Sequence, residues 1–265
     1  MTEDDKSDIM NTAHALANAA RVAILPYFRS IGLSADNKLD AGFDPVTEAD
    51  RAAERAMRDI LAARRPDDGI LGEEYGTQEG RSGLTWVLDP IDGTRGFLSG
   101  TPTWGVLIAL SDINGPQYGI IDQPYIGERF EGGFDRARMV GPHGAGVLKT
   151  RAPRALSEAI LFTTFPEVGT PDDGAAFAQV SAKAQLTRYG MDCYAYALLA
   201  AGQIDLVIES CLNPYDICAP IAVIEAAGGI VTDWKGGPAH HGGRAIAAAN
   251  AEIHTEALAI LSRAP

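Results

Sequence analysis

The segment from Trp86 to Thr94, WVLDPIDGT, combines residue types that could hold a metal ion and a phosphate group together. An apolar run delivers the carboxylates of Asp89 and Asp92 into a turn that ends in Gly93 and Thr94. Hard divalent cations such as Mg²⁺ prefer oxygen ligands and usually take one or two carboxylates together with substrate phosphate. Free backbone N–H groups at the start of a short helix favour an anion. The segment therefore predicts a phosphate site beside a metal ion.

Further acidic side chains follow other predicted elements. Glu73 and Glu74 come after Gly69-Ile70-Leu71, and Asp216 comes just before a helical run. Each feature taken singly has a structural explanation, since Asp-Pro is typical of turns, Glu73 and Glu74 suit a solvated loop, and Asp216 suits a helix N-cap. Taken together, four carboxylates lie at the ends of separate elements and indicate a multi-metal site: Glu73, Asp89, Asp92 and Asp216.

Several motifs resemble the inositol monophosphatase superfamily of metal-dependent phosphatases. They are Gly72-Glu73-Glu74, the run DPIDGT at 89–94, and Tyr215-Asp216 followed by EAAGG at 225–229. The resemblance covers nearly the whole chain. Three other stretches are most similar to the histidinol-phosphate phosphatase branch of that superfamily: 104–110, 119–124 and 192–196.

The resemblance implies a set of metal ligands. Mg²⁺, as two or three ions per site, would be bound by Glu73, Asp89, the backbone carbonyl of Ile91, Asp92 and Asp216. In a two-metal arrangement one ion activates water and the other stabilises the leaving oxygen, so that hydrolysis needs no covalent enzyme intermediate.

The resemblance also implies catalytic and phosphate-binding roles. The amides of Gly93 and Thr94 would hold phosphate oxygens, and Thr94 with Glu73 would position the attacking water. A hydrogen bond from the Thr94 hydroxyl to Asp50 would add Asp50 to the catalytic group. Asp50 equally fits the acid of a capping box whose N-cap is Thr47, and both interpretations stay open.

The substrate end opposite the phosphate is indicated by three polar residues. Asp192, Glu209 and the weaker candidate Asn213 lie where the resemblance implies contact with a cationic amine and imidazole. An acidic pocket favours a protonated amine over a neutral polyol. Asp192 and Glu209 could instead be exposed loop acids. Tyr215 and Arg95 depart from the broader superfamily pattern and leave the substrate open.

The expected activity is hydrolysis of a small phosphorylated metabolite, and histidinol phosphate is the substrate that we favour. An inositol phosphatase or a broad sugar-phosphate phosphatase is the alternative, and a regulatory binding protein without catalysis is a third. Retention of the four carboxylates disfavours the third, because a binding module does not need mutually repelling acids. A homodimer is implied by the resemblance alone.

Charge and composition exclude other classes of protein. A formal net charge of −13 disfavours nucleic-acid binding, and the longest basic cluster is Arg64-Arg65. No stretch has the length of a membrane span, and the polar, acidic N-terminus lacks the features of a secretory signal, so we expect no membrane partner and a cytoplasmic location. The odd number of cysteines, Cys193, Cys211 and Cys218, predicts small buried side chains rather than disulfides.

Other phosphatase designs lack their motifs in this chain. The position six residues after each cysteine holds Leu199, Ile217 or Ile224 rather than the Arg of a cysteine phosphatase. Asp89 and Asp92 are separated by two residues, which does not fit an Asp-x-Asp-x-Thr nucleophile. No P-loop or Gly-x-Ser-x-Gly elbow is present, and the five histidines show no ligand spacing.

The elements that must position these residues follow from periodicity. Helical spacing predicts a helix from the N-terminus to about Pro26 and a second that begins after Thr47 and ends at Pro66, with a polar loop at 37–44 between them. Short apolar segments then predict an antiparallel sheet, with strands at 85–88, 106–110, 117–121, 128–132 and 146–148.

After residue 150 the pattern becomes that of an α/β layer. Strands are predicted at 160–163, 186–189, 204–209, 230–233 and 245–248, with helices at 171–184, 194–201, 216–227 and 252–261. The resemblance implies an α+β fold, a five-layer αβαβα sandwich. An α+β half (1–150) with the metal-binding loops would pack tightly on an α/β half (151–265) that completes the site.

Overall fold

A computed structural model describes residues 1–31, 33–37 and 45–265 and shows an α+β fold. The helices of these residues are α1 (Glu3–Ile24), α2 (Glu48–Arg64), α3 (Thr94–Ser99), α4 (Pro171–Ser181), α5 (Asp192–Ala200), α6 (Pro214–Ala226) and α7 (Ala251–Leu261), with one 3₁₀ turn at Leu156–Glu158. The loop predicted at 37–44 lies, apart from Asn37, outside the described residues.

The strands form one large sheet, one smaller sheet and a two-stranded ladder. They are β1 (Asp36–Asn37), β2 (Pro45–Val46), β3 (Gly69–Gly72), β4 (Gly76–Gln78), β5 (Thr85–Asp92), β6 (Gly105–Asp112), β7 (Gly115–Gln123), β8 (Glu128–Gly133), β9 (Arg136–Gly141), β10 (Gly144–Val147), β11 (Ile160–Thr163), β12 (Leu186–Tyr189), β13 (Leu206–Leu212), β14 (Ile230–Thr232) and β15 (Gly243–Ala248). The eight-stranded sheet has the order β10-β9-β8-β7-β6-β5-β3-β4, and the five-stranded sheet has the order β12-β11-β13-β15-β14.

The two sheets and three helical layers stack as αβαβα. Helices α1 and α2 cover one face of the eight-stranded sheet, α5 and α6 lie between the sheets, and α4 and α7 cover the outer face of the five-stranded sheet. Strand β13 shows how the pattern builds two cores. Val207 packs towards the middle layer, whereas Leu206 and Ile208 pack towards α4 and α7, because successive side chains of a strand point to opposite faces.

The strand pattern predicted an antiparallel first sheet, but one pair of strands in this sheet is parallel. Strand β3 pairs in parallel with β5, because the chain forms the short β4 edge and then returns to the start of β3 before β5 begins. Strands β4 and β9 were not predicted, because neither strand has a buried residue and neither therefore contains an apolar run that would mark it. The proposed division into two halves at residue 150 stays a prediction.

Candidate active site

Three carboxylates from two separate layers converge in a cleft between the sheets. Asp89 and Asp92 lie at the end of β5, Asp216 lies in the first turn of α6, and each offers an oxygen within 4.8 Å of the other two. The β5–β6 ladder shifts register between Asp89 and Asp92. Such a bulge redirects side chains, and here it occurs between the two acids of the predicted turn.

The cluster is electrostatically strained without a counter-ion. Burial, then the charges of Glu73, Asp92 and Asp216, raise the pKa of Asp89 well above its usual value. Burial followed by Asp192 and Asp216 raises the pKa of Asp92, although the Cys193 N–H donates to Asp92 Oδ2 at 2.6 Å. Among the described residues, no donor reaches the buried Asp89 Oδ1. A buried carboxylate oxygen without a donor suits a cation.

Glu73 is carried by a turn that a buried acid holds in place. Its backbone N–H donates to the Leu88 carbonyl at 3.1 Å. Glu54 on α2 is fully buried and accepts from the Glu74 N–H at 2.7 Å and from the Tyr75 N–H at 3.2 Å. Glu54 was not predicted as a site residue, although an acid on the apolar face of α2 is a signal in the sequence.

Gly72 explains why this turn can approach α2. A Cβ at Gly72 would lie 2.0 Å from Glu54 Oε1, so a larger residue there would push the acid away from the turn. The first residue of the Gly-Glu-Glu motif therefore has a structural reason, while the metal-binding role of the second, Glu73, stays a prediction.

The Gly93–Thr94 turn begins α3. Gly93 has φ +85°, a left-handed conformation that glycine adopts at little cost. The Thr94 hydroxyl donates to the Ile91 carbonyl at 3.1 Å, so this structure does not form the hydrogen bond to Asp50 considered from the sequence, and a catalytic role for Asp50 stays a prediction. The three-residue spacing of the turn brings that carbonyl within reach of the hydroxyl.

Asp50 forms the capping box that its spacing predicted. Its Oδ2 accepts from the Thr47 N–H at 2.8 Å and from the Thr47 hydroxyl at 2.5 Å. Its Oδ1 is buried and receives no hydrogen bond from the part of the chain that is described. Burial, together with smaller contributions from the charges of Glu73 and Glu74, raises the pKa of Asp50 to about 7 despite these bonds.

The second sheet supplies the opposite wall of the cleft, which has a volume of about 540 Å³. Glu209 on β13 lines it and is only 7% exposed, so the exposed-loop interpretation of Glu209 is wrong. It accepts from the Thr164 N–H at 2.6 Å, the Thr164 hydroxyl at 2.8 Å and the Thr163 hydroxyl at 3.3 Å. Burial, only partly opposed by these bonds, raises the pKa of Glu209 to about 7.

Asp192 lies directly against α3. It is the first residue of α5, is half-buried, and packs so closely that a Cβ at Gly93 would lie 2.8 Å from its Cγ. Burial raises the pKa of Asp192 to about 6, although the Thr103 hydroxyl and the Arg95 cation act in the opposite direction. The exposed-loop alternative therefore fails for Asp192 too. Asn213 lines the cleft, and its N–H donates to Asp216 Oδ2 at 2.7 Å.

Other cleft residues were missed or misjudged from the sequence. Phe165 and Glu167 line the cleft from the loop after β11, a position that ligands often use at the carboxyl end of parallel strands. Cys211 was expected to be buried, but it is exposed in the cleft, with φ +64° at a register shift between β13 and β15. Cys193 and Cys218 are buried as expected.

Fold and cleft together define a class of αβαβα sandwich proteins that have an acidic site between the two sheets. Residues 5–264 match the model described as "Inositol monophosphatase family". The chain belongs to the inositol monophosphatase family, and the resemblance seen in its motifs is confirmed. None of the helices in the described part of the chain is both long enough and apolar enough to cross a membrane.

Relatives of the chain carry more than one activity in their names. The chloroplastic bifunctional phosphatase IMPL2 of Arabidopsis thaliana is 44% identical over 225 residues, which cover 84% of this chain and 63%, less than two thirds, of that relative. The histidinol-phosphatase of Chlorobaculum parvum is 33% identical over 241 residues, which cover 91% of this chain and 92% of that protein. The solved structure of an inositol monophosphatase from Zymomonas mobilis has 39% identity and a TM-score of 0.85, covering 99% of this chain and all of that one.

Proposed function

We propose that this phosphatase is a Mg²⁺-dependent phosphomonoesterase that hydrolyses histidinol phosphate to histidinol and phosphate. The observation that carries the proposal is the position of two further acids, Asp192 and Glu209, in the cleft that holds the carboxylate cluster. A phosphate ester with a cationic end needs both features, a site for its phosphate and an acidic wall for its cation.

The metal would be held by Glu73, Asp89, the Ile91 carbonyl, Asp92 and Asp216. The donor set fits Mg²⁺, because it consists of oxygens and includes the buried Asp89 Oδ1, which no described donor reaches. When bound, Mg²⁺ supplies charge neutralisation for the phosphoryl group and lowers the pKa of a coordinated water.

The chain's own groups would orient the reactants. The Gly93 and Thr94 amides bind phosphate oxygens at the start of α3, and Thr94 and Glu73 position the water. Asp50 accepts the proton of that water through the Thr94 hydroxyl when this hydroxyl turns from the Ile91 carbonyl to the buried Asp50 Oδ1. Phosphoryl transfer depends mainly on positioning and electrostatic stabilisation, so these roles suffice for hydrolysis.

The substrate's cationic end would meet the wall formed by Asp192, Glu209 and Asn213. The raised pKa of Glu209, about 7, reflects burial of its carboxyl. A ligand cation restores the preference for the charged form, so the binding of an amine or imidazolium is favoured over that of a neutral polyol.

An inositol-phosphate or broad sugar-phosphate phosphatase is the second candidate. It is favoured by the Zymomonas mobilis structure named as an inositol monophosphatase, which is similar along the whole chain. A non-catalytic regulatory binding protein is less favoured, because Asp89, Asp92 and Asp216 lie together in one cluster despite their mutual repulsion.

A phosphate-release panel tests the proposal. Histidinol phosphate, inositol 1-phosphate, fructose 1,6-bisphosphate and a nucleotide 3′-phosphate are compared with and without Mg²⁺. We expect the highest kcat/KM for histidinol phosphate, and we expect Asp192→Asn and Glu209→Gln to lower that preference about tenfold or more, since unpaired polar partners discriminate strongly. Glu256→Gln, an exposed charge change on α7, is the control. Equal wild-type efficiencies, or equal losses on every substrate, would favour the second candidate.

A further inference from the structure

A planar cation lies on an aromatic ring at the cleft. The guanidinium carbon of Arg95 is 4.8 Å from the centre of the Phe165 ring. Arg95 belongs to α3, beside the eight-stranded sheet, whereas Phe165 follows β11 of the five-stranded sheet. Both line the cleft, and Phe165 is 43% exposed. The pair therefore spans the cleft from one sheet to the other.

The same cation shares the cleft with an acid. Arg95 and Asp192 both line the cleft, and the Arg95 charge lowers the pKa of the Asp192 carboxyl against the effect of burial. Asp192 is in turn packed under α3, where a Cβ at Gly96 would lie 3.3 Å from Asp192 Oδ2. An aromatic face and a carboxylate around one flat, delocalised charge make an environment suited to planar cations as a chemical class.

We propose that Phe165 and Asp192 form the receptor for a planar cationic heterocycle at the non-phosphate end of the substrate, and that Arg95 occupies this receptor until the substrate displaces it. The inference rests on the proposed function, because the imidazolium of histidinol phosphate is such a heterocycle. Inositol, a puckered neutral ring, cannot stack in this way. Arg95 and Phe165 thereby become specificity-determining residues.

Because the substrate must displace Arg95, the presence of this side chain should weaken the binding of a planar cation by a measurable factor. One face of the Phe165 ring accommodates one planar cation, so the guanidinium and an incoming imidazolium compete for it. Cation–π contacts at partly exposed sites correspond to about two- to fivefold in affinity. Removal of the Arg95 cation should therefore strengthen the binding of a planar cation by that factor, and loss of the Phe165 ring should abolish the gain.

The test uses histidinol, which lacks phosphate, as an inhibitor of p-nitrophenyl phosphate hydrolysis in the presence of Mg²⁺. At pH 6.5 about half of an imidazole is cationic. We expect the inhibition constant of histidinol to fall about two- to fivefold in Arg95→Gln and to rise in Phe165→Leu, which keeps bulk but removes the aromatic face. The double variant should show no gain over Phe165→Leu. Arg138→Gln, an exposed arginine on β9, removes the same charge elsewhere and should match the wild type.

Several results would overturn the proposal. Histidinol inhibition that is unchanged or weaker in Arg95→Gln would do so, as would a Phe165→Leu variant that binds histidinol like the wild type. If Arg95→Gln instead increased KM for every phosphate ester and left histidinol inhibition unchanged, Arg95 would be assigned to phosphate binding. Failure of the wild type to hydrolyse histidinol phosphate would contradict the proposed function. The role of Arg95 is decided separately by the histidinol inhibition series, which uses p-nitrophenyl phosphate as the substrate.

Discussion

At the scale of single residues, Asp89 tests the metal hypothesis most directly, because its carboxylate is buried and its pKa is raised by its acidic neighbours. We expect Asp89→Asn, Asp92→Asn and Asp216→Asn each to remove Mg²⁺-dependent activity. Each change relieves repulsion among the remaining acids, so the stability of the metal-free protein should be unchanged or higher. Activity assays over a Mg²⁺ series and thermal unfolding in chelator measure the two effects.

The matched control for these variants is Glu256→Gln, which alters an exposed charge on α7. Full turnover of the wild type in excess chelator would exclude a metal requirement. A large loss of stability in all three variants would instead assign the acids to structure.

Asp50 presents a choice between capping and catalysis. Asn at this position keeps an acceptor for the Thr47 donors but loses the charge, so Asp50→Asn should change the free energy of unfolding by less than about 1 kcal/mol. We expect its kcat to fall about 100-fold, as for loss of a group that handles protons. Thr47→Ala should show the reverse, a stability loss of about 1 kcal/mol with kcat retained. An unchanged kcat in Asp50→Asn would make this residue a cap alone.

At the scale of secondary-structure elements, two bulges lie at the strand ends that carry residues of the candidate site. The register of β5 against β6 shifts between Asp89 and Asp92, and that of β13 against β15 shifts between Glu209 and Leu212. In regular strands, side chains alternate strictly between the faces of a sheet. The bulges interrupt this alternation at the ends of β5 and β13, where the side chains of both strands line the cleft.

The turn after the first bulge can be tested with a pair of glycines. Gly93 and Gly83 have φ +85° and +82°, but a Cβ at Gly93 would lie 2.8 Å from Asp192 Cγ, whereas at Gly83 it would meet no atom of the described residues within 4 Å. Both Ala variants should lose about 1 kcal/mol of stability through backbone strain. Only Gly93→Ala should also lose activity, about tenfold or more, because it displaces Asp192 and the amides that we assign to phosphate. Equal activity in the two variants would contradict that assignment.

The packing of α1 on the first sheet should respond to acid. Burial would raise the pKa of Glu131, but hydrogen bonds with His14, at 3.0 Å, and with the Tyr118 hydroxyl, at 2.5 Å, lower it to about 2 from the usual 4.5. A depressed pKa stabilises the folded state fully above pH 4.5, and this contribution is lost as the pH falls from 4.5 towards 2.

Glu131→Gln should therefore lower the free energy of unfolding at pH 7, and its difference from the wild type should shrink between pH 4.5 and 2. Urea unfolding at a series of pH values measures this difference, with Glu256→Gln as the control. A difference that stays constant through this window would show that the charge of Glu131 contributes nothing.

At the scale of the whole molecule, the acidic cluster joins two layers. Asp89 and Asp92 come from the first sheet, and Asp216 comes from the helix between the sheets. Because a cation held by all three binds only the folded protein, Mg²⁺ should raise the Tm. The expected stabilisation is about 2.7 kcal/mol at a free concentration about 100 times Kd.

This Tm increase should be lost in Asp216→Asn and kept in Glu256→Gln, as differential scanning calorimetry can show. An equal increase in all three proteins would indicate general screening of the net charge of −13. The homodimer implied by the family resemblance stays a prediction, which sedimentation equilibrium tests.

Local sequence determined much of this protein. The helices α1 and α2 follow from apolar spacing and from capping residues such as Thr47, because helical hydrogen bonds join residues close in the chain. The DPIDGT run and its companion motifs were enough to identify the family. They also named the residues that now converge in one cleft, since chemistry restricts which side chains can bind a hard cation.

Tertiary structure decided what depends on long-range pairing. The parallel β3–β5 pair, the exposure of Cys211 and the stack of Arg95 on Phe165 have no local signal. The acid on the apolar face of α2 is visible in the sequence, but its support of the Glu73 turn is not. Each joins separate elements through sheet register, bulges or the close approach that glycine permits. Sequence alone named the chemical groups, and only the packing of the two sheets determined which of them meet, because a shift of one residue in register turns a side chain to the opposite face.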